Sequence, residues 1–379
     1  MKIVFVSNYF NHHQRALCDE LYKITDGNYK FVVTEEMSEE RKNLGYGESS
    51  IPDYVVSAED KLGEAECKKL VDEADVVLYG SAPWDLVAHR IKQGKLTFRY
   101  SERRFKEGIP FLKLPLILYQ DLKTVLFRKN LYMLCAGAYT AKDYAVTGAF
   151  VGKTYKWGYF PETKQYDDLD DLINRKKRNS LLWVGRFIDW KHPEIPVEIA
   201  KRLKNDGYEF EFDMIGSGEL IDDIRDKVRA AGLADQVRIP GAVTPVEVRA
   251  KMEQSQIFVS TSDRNEGWGA VINEAMNSAC ATVACKDIGS APYLINDMEN
   301  GVLFEDGNID SLYRKIKWLL DNPEEMKKIG ARANRTIVEE WNARRAAERL
   351  CSMCEKMLQS NGASSPFADG ICSKAKRRI

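Results

Sequence analysis

At 379 residues the chain is too long for one ordinary hydrophobic core, so two domains are expected. Its 44% hydrophobic and 30% charged residues are those of a globular protein, and a net charge of −1 excludes wholesale nucleic-acid binding. No apolar run approaches a membrane span and Lys2-Ile3-Val4-Phe5-Val6 is too short for a signal-peptide core, so a cytoplasmic protein is expected. The eight cysteines lack the repeated spacing of a disulfide framework and fit a reducing compartment; Cys351 and Cys354, on a helical pattern, read as packing rather than metal ligands.

The first half alternates strands and helices. Ile3 to Ser7 reads as a strand, followed by a helix from about His13 to Ile24, then apolar runs at Tyr29 to Thr34 and Val76 to Tyr79. Such alternation implies a parallel sheet with helices on both faces. The first strand leads into Asn8-Tyr9-Phe10-Asn11-His12-His13-Gln14, not a glycine fingerprint, which disfavours a dinucleotide site there. His12 and His13 stand at that strand end as candidates for contacting an acceptor or handling a proton, with a solvent-facing helix start as the plainer alternative. Ser101 and Glu102, after the strand-like Lys95 to Tyr100, are further candidates on the same side. Between Arg90 and Lys129 the composition changes to eleven basic residues against three acidic ones, interleaved with large apolar side chains such as Phe111, Leu116 and Phe127. A peripheral docking surface for anionic membrane is the expectation for this segment. Leu131 to Ala136 is a strand and Tyr139 to Val146 a helix. The acidic-then-basic run from Asp167 to Arg178 reads as a surface linker.

The alternation restarts with a strand from Ser180 to Val184, ending in Gly185-Arg186-Phe187-Ile188-Asp189-Trp190-Lys191 before a helix from about Pro193. A glycine that lets the backbone approach, a fork-shaped Arg186 and a point-charge Lys191 five residues on are what a diphosphate needs. Gly216-Ser217-Gly218, after the strand Glu211 to Ile215, is a tight turn of mainly architectural role. Further on, Ile257 to Ser260 is a short β-branched strand, and the chain turns helical again from about Gly269. Glu266 therefore falls on a loop at a strand's carboxyl end and Glu274 within the first two turns of the next helix. Ligands of open α/β sheets sit at that edge, where the first amides of a helix have no partner of their own. Two carboxylates would repel a phosphate but accept hydrogen bonds from hydroxyls, leaving the amides of Gly267, Trp268, Gly269 and Ala270 for an anion. Hydroxyls at both ends and phosphates between describe a nucleotide-sugar.

The stretch EGWGAVINEAMNSACATVA, with seven residues between Glu266 and Glu274, resembles the E-x7-E signature of glycosyltransferase family 4, the group 1 retaining glycosyltransferases. Gly185-Arg186 with Lys191 is similar to that family's diphosphate clamp. The resemblance implies a GT-B fold, α/β, with two Rossmann-like doubly wound domains facing an interdomain cleft. It implies an acceptor-binding domain over 1–160, a linker over 161–178 and a nucleotide-sugar domain over 179–340. A helix over 341–359 returns to the first domain, and the tail over 360–379, poor in apolar surface, is expected to be disordered. Arg186, Lys191 and Glu266 would be catalytic, Glu266 holding the donor sugar and Glu274 the ribose hydroxyls. Gly185 and the amides from Gly267 to Ala270 would complete the donor site, with Arg238 and Ile239 facing the nucleobase. Tyr293 stands where the family often has Glu. The donor would be a nucleoside-diphosphate sugar and the acceptor a glycan or lipid-linked hydroxyl, with no metal and no further cofactor. The leaving phosphate would take the acceptor's proton. A nucleotide-sugar epimerase of the same fold and a non-catalytic nucleotide-sugar-binding subunit are the alternatives.

Overall fold

The computed structural model describes residues 1–37, 50–59, 61–360, 362 and 365–376. The chain divides into two compact units, 1–162 with 341–379, and 163–340.

In the first unit seven strands make one parallel sheet: β1 (Ile3–Ser7), β2 (Tyr29–Val33), β3 (Val55–Ser57), β4 (Val76–Tyr79), β5 (Thr97–Ser101), β6 (Leu131–Ala136) and β7 (Thr154–Trp157). Their spatial order is β3-β2-β1-β4-β5-β6-β7, so the order reverses between β1 and β4. β1, β4 and β6 are buried throughout because helices cover both faces, which is why the sequence shows continuous apolar runs rather than alternation. The second unit repeats the plan with β8 (Lys177–Val184), β9 (Glu211–Ile215), β10 (Val237–Gly241), β11 (Ser255–Ser260), β12 (Ala281–Cys285) and β13 (Val302–Phe304). Here the order is β10-β9-β8-β11-β12-β13, all parallel, and the reversal falls between β8 and β11.

Three expectations are corrected. The run read as a linker belongs to the second unit: Asp168 caps a helix, Leu169–Asn174, by accepting from Asp171 N at 2.8 Å, and Leu172 and Ile173 are buried against Ala279. Lys176 is buried too, donating to Met252 O and Ser255 O at 2.8 Å each. The charges there mark only the wet half of an amphipathic turn.

The tail does not lack order where it is described: Ser360 ends helix Ala343–Ser360, and 362 and 365–376 follow; 361, 363–364 and 377–379 lie outside the described residues. Tyr155 pairs antiparallel with Lys374, and Lys156 N donates to Ser373 O at 2.8 Å, so the tail completes the hydrogen bonding of edge strand β7. An open edge has unpaired amides and carbonyls, and satisfying them requires backbone rather than apolar composition. Ile371 and Cys372 are buried in consequence.

The basic stretch 90–129 is not uniformly a surface. Arg90 is fully buried; its guanidinium donates to Val71 O, Ala74 O, Asp75 O and Leu96 O at 2.5–2.9 Å and to Thr97 Oγ1 at 3.2 Å. It closes the carboxyl end of helix Lys61–Glu73, where carbonyls lack helical partners. Arg99 lies over the Tyr79 ring, Arg103 beside Asp143, and Arg104 forms two bonds to Asp121. Helix Ala343–Ser360 falls in the first unit and packs on helix His12–Ile24.

Candidate functional site

The reversal of strand order between β8 and β11 parts the loops that follow them, and in doubly wound sheets that is where ligands bind. The loop after β8 carries Gly185, Arg186 and Lys191; the loop after β11 carries Glu266, Gly267 and Gly269. Two glycines are required by the geometry. Gly216, just past β9, has φ 144°, and a Cβ there would stand 1.8 Å from Gly185 O. Gly269 has φ 83° where it opens helix Ala270–Asn277, and a Cβ would press on Ile288 at 3.0 Å and the Glu266 side chain at 3.3 Å.

The two loops are tied together. Thr261 Oγ1 accepts from Trp183 Nε1 at 3.0 Å and donates to Lys191 O at 2.6 Å, while Asp263 N donates to Trp190 O at 3.0 Å. Across this seam the Lys191 ammonium and the Glu266 carboxylate form a salt bridge, both side chains largely buried. Arg186 is exposed, its guanidinium 5.3 Å from the centre of the Trp190 ring. The structure thus brings together Gly185, Arg186, Lys191, Glu266, Gly267, Gly269 and Ala270. The site offers cations, glycine-lined backbone and one carboxylate already oriented.

Sequence reasoning passed over His192. It adopts a left-handed conformation, φ 48°, with Nδ1 3.2 Å from Glu194 Oε1 and Nε2 3.4 Å from Asp263 Oδ2, so it bridges the start of helix Glu194–Asn205 to the loop after β11. The hydrogen bond to Glu194, outweighing partial burial and helped by the charges of Glu194 and Asp263, lifts its pKa from 6.5 to about 9. Because the folded value is the higher, the stability from the protonated ring is complete below about pH 6.5 and disappears as pH rises through about 9. The Tm advantage of wild type over His192→Asn, which tolerates the same backbone, should therefore shrink between about pH 6 and pH 9.5 in thermal melts. A pH-independent difference would contradict the bridge. The available signal was a histidine immediately after Lys191, but its partner Asp263 lies 71 residues away.

Glu274 sits in the second turn of helix Ala270–Asn277, half-buried. Burial pushes its carboxyl pKa up, with Arg249 opposing. Arg249 and Ser278 bond to its backbone oxygen, and among the described residues no group hydrogen-bonds its carboxyl. An acceptor in that condition is poised for hydroxyl donors.

Other candidates are placed differently. Arg238 lies near the amino end of β10, and its guanidinium is bonded to Asp213 Oδ1 at 2.9 Å and paired with Glu211, so its charge is turned away from the carboxyl edge. Ile239 carries its carbonyl against Arg225 at 3.2 Å. The Trp268 indole is a core residue, fully buried with Nε1 donating to Asn273 Oδ1 at 2.9 Å, and its carbonyl accepts from Ser290 N, so the side chain does not face a ligand. In the first unit His12 and His13 open a helix beside the reversal between β1 and β4, their rings 3.9 Å apart. Burial, then the neighbouring His12, depresses His13 to about 3, so its ring is neutral at physiological pH and a poor proton acceptor. Ser101 Oγ bonds the Tyr144 hydroxyl at 3.0 Å, and Glu102 is shared between Lys106 and the Tyr159 hydroxyl at 2.6 Å each, so both are engaged with the protein.

Two doubly wound units of this topology constitute the GT-B fold. The structure resembles Anabaena HepE, solved with UDP, at a TM-score of 0.69 over 94% of this chain and 100% of that one, with 15% identity. Residues 166–336 match the family model of glycosyl transferases group 1, and the chain carries a domain of that family. It is 30% identical over 159 residues to an uncharacterized glycosyltransferase of Methanocaldococcus jannaschii, covering 42% of this chain and 43% of that protein. Over 171 residues it is 28% identical to the poly(ribitol-phosphate) alpha-N-acetylglucosaminyltransferase of Staphylococcus aureus, covering 45% and 34%. Each match thus spans less than half the length of these relatives.

Proposed function

We propose that the protein is a retaining, metal-independent glycosyltransferase of hexosyltransferase type, moving a sugar from a nucleoside-diphosphate sugar to a hydroxyl of a glycan or lipid-linked acceptor. Its place is cell-surface polysaccharide biosynthesis, in the cytoplasm or at the inner face of the membrane. The observation that carries the reading is the Lys191–Glu266 salt bridge joining the two loops at the strand-order reversal, with Arg186 and the Glu274 carboxyl on the same two segments. UDP is the first nucleotide to try, because HepE was solved with it.

The second unit holds the donor. Arg186 and Lys191 face the diphosphate and stabilise the charge that grows on it as the bond to the sugar breaks, which is the term a preorganised site supplies best. With two protein cations in that role, no metal is needed to neutralise the leaving group. Glu274 accepts from the ribose hydroxyls, and Glu266, which holds Lys191, accepts from the sugar. The acceptor hydroxyl attacks the anomeric carbon from the side the diphosphate leaves, and its proton passes to the departing phosphate oxygen. The first unit supplies the acceptor surface.

A thermal-shift screen against UDP-, GDP- and ADP-sugars tests this, since each tenfold excess of ligand over Kd adds about 1.4 kcal/mol of apparent stability. Stabilisation by one nucleotide-sugar family is expected, and silence from all of them overturns the reading. Glu274→Ala should weaken that nucleotide by roughly 1–3 kcal/mol, because it removes the acceptor of two hydroxyl bonds. Titration calorimetry giving an unchanged Kd would remove Glu274 from its role. Sugar transfer to an acceptor, rather than a changed nucleotide-sugar in its absence, separates transferase from epimerase.

A further inference from the structure

The helix Leu114–Thr124 in the first unit is turned inside out. Its one buried side chain is a carboxylate, Asp121, while Leu116, Leu118, Tyr119 and Leu122 are 41–58% exposed. The turn before it, Phe111–Lys113, leaves Phe111 78% and Leu112 99% exposed, and Phe127 beyond it is 90% exposed. Single exposed leucines are ordinary, but a contiguous run of them marks a surface that meets something other than water.

The means of attachment makes the inversion stable. Asp121 accepts from Arg104 at 2.7 and 2.9 Å and from Thr147 Oγ1 at 2.5 Å, and the Arg104 guanidinium stacks on the Tyr144 ring at 4.0 Å. The helix is thus held to the body by a buried ion pair, with Leu114 and Ile117 half-buried on the same face, which leaves Leu116, Leu118, Tyr119 and Leu122 on the outer face. At 100° per residue those side chains cover an arc of about 160°, wider than the seam that a single partner helix fills.

We infer that the segment from Ile109 to Lys129 enters the surface of an anionic lipid bilayer, with Leu112 and Phe127 as its deepest side chains. Lys113, Lys123 and Lys129 stand exposed among the apolar groups, Lys123 over the Tyr119 ring at 4.7 Å. Lysine stems lie along apolar surface while their ammonium groups reach lipid phosphates, whereas lysine is depleted from the core of protein interfaces. A second copy is disfavoured because a self-complementary contact would bring both sets of lysines together. Eleven helical residues extend about 16 Å against a hydrocarbon core of about 30 Å, so the helix lies in the interface plane. Among the described residues no helix is long and apolar enough to cross a membrane. Since Arg90, Arg99, Arg103 and Arg104 are committed within the protein, apolar insertion rather than charge provides most of the hold.

Flotation with vesicles of phosphatidylcholine mixed with phosphatidylglycerol, and of phosphatidylcholine alone, tests this at low and high salt. The wild-type chain should float with the mixed vesicles and stay bound in large part at high salt. Leu112→Ser with Phe127→Ser should reduce binding roughly tenfold or more at both salt levels without lowering Tm, because both side chains are in solvent. Lys113→Glu with Lys123→Glu should remove only the part of binding that depends on salt and phosphatidylglycerol. Unaltered flotation of the serine variant overturns the inference, as does a wild type that floats with neither vesicle. A wild-type dimer in light scattering that the serine variant makes monomeric would identify a second copy as the occupant instead. None of these readouts requires the transferase reading to hold.

Discussion

Lys191→Ala is expected to lower kcat by roughly tenfold to a thousandfold while nucleotide affinity changes only a few-fold. The side chain is already oriented, its ammonium paired with Glu266 and largely shielded from water. A charge fixed before the reaction needs no reorganisation as the transition state forms, and it acts most strongly where water is excluded. The diphosphate carries more charge as it leaves than while bonded to the sugar, so most of the loss falls on turnover; the stated range corresponds to about 1.4–4 kcal/mol. Glu266→Gln should give a smaller version of the same pattern together with a rise in donor KM, because the orienting partner and a sugar contact are weakened together. Steady-state rates with donor and acceptor varied separately, beside calorimetric donor binding, distinguish the possibilities. Full turnover by Lys191→Ala would remove it from the catalytic group, and a loss confined to donor affinity would make it a binding residue only.

The parts of the site that can be read from sequence are those whose geometry is local. Glu266 and Glu274 lie on one strand-turn-helix, and Gly185, Arg186 and Lys191 on another, so spacing alone sets their neighbourhood. The strands were legible for the related reason that buried parallel strands are continuous apolar runs, as Leu131–Ala136 shows. What escaped depends on partners distant along the chain. Arg90 reads as a surface cation until the carbonyls from Val71 to Leu96 converge on it, and Lys176 until Met252 and Ser255 do. Trp268 enters the donor site in the sequence only through its backbone amide, and its indole points into the core, where Asn273 satisfies its one polar atom. Helix Leu114–Thr124 inverts the usual rule because one aspartate finds Arg104 and Thr147, which no periodicity in the helix itself announces. The tail was misjudged by composition, since a segment bridged to an exposed sheet edge is held by its backbone.

Gly216→Ala is expected to destabilise the second unit by roughly 2–5 kcal/mol, adding backbone strain at φ 144° to a clash that no side-chain rotation relieves. The Cβ would stand 1.8 Å from Gly185 O, so β8 and β9 must separate at their carboxyl ends. Those ends are held by Gly185 N donating to Ile215 O and Gly216 N to Gly241 O, both at 3.0 Å, and the loop bearing Arg186 and Lys191 begins at Gly185. Stability and donor binding should therefore fall together. Gly207→Ala separates strain from clash: its φ is 81°, but nothing lies within 4 Å of the added methyl, so only the backbone penalty of about 1 kcal/mol applies. In thermal melts Gly216→Ala should lose several degrees more than Gly207→Ala, at about 2–4 °C per kcal/mol for a unit of this size. Nucleotide-dependent stabilisation should survive in Gly207→Ala and be much reduced in Gly216→Ala. Equal melting losses in the two variants would mean that the strand ends yield easily, and the close approach at Gly185 would then not be what holds the Arg186 and Lys191 loop in place.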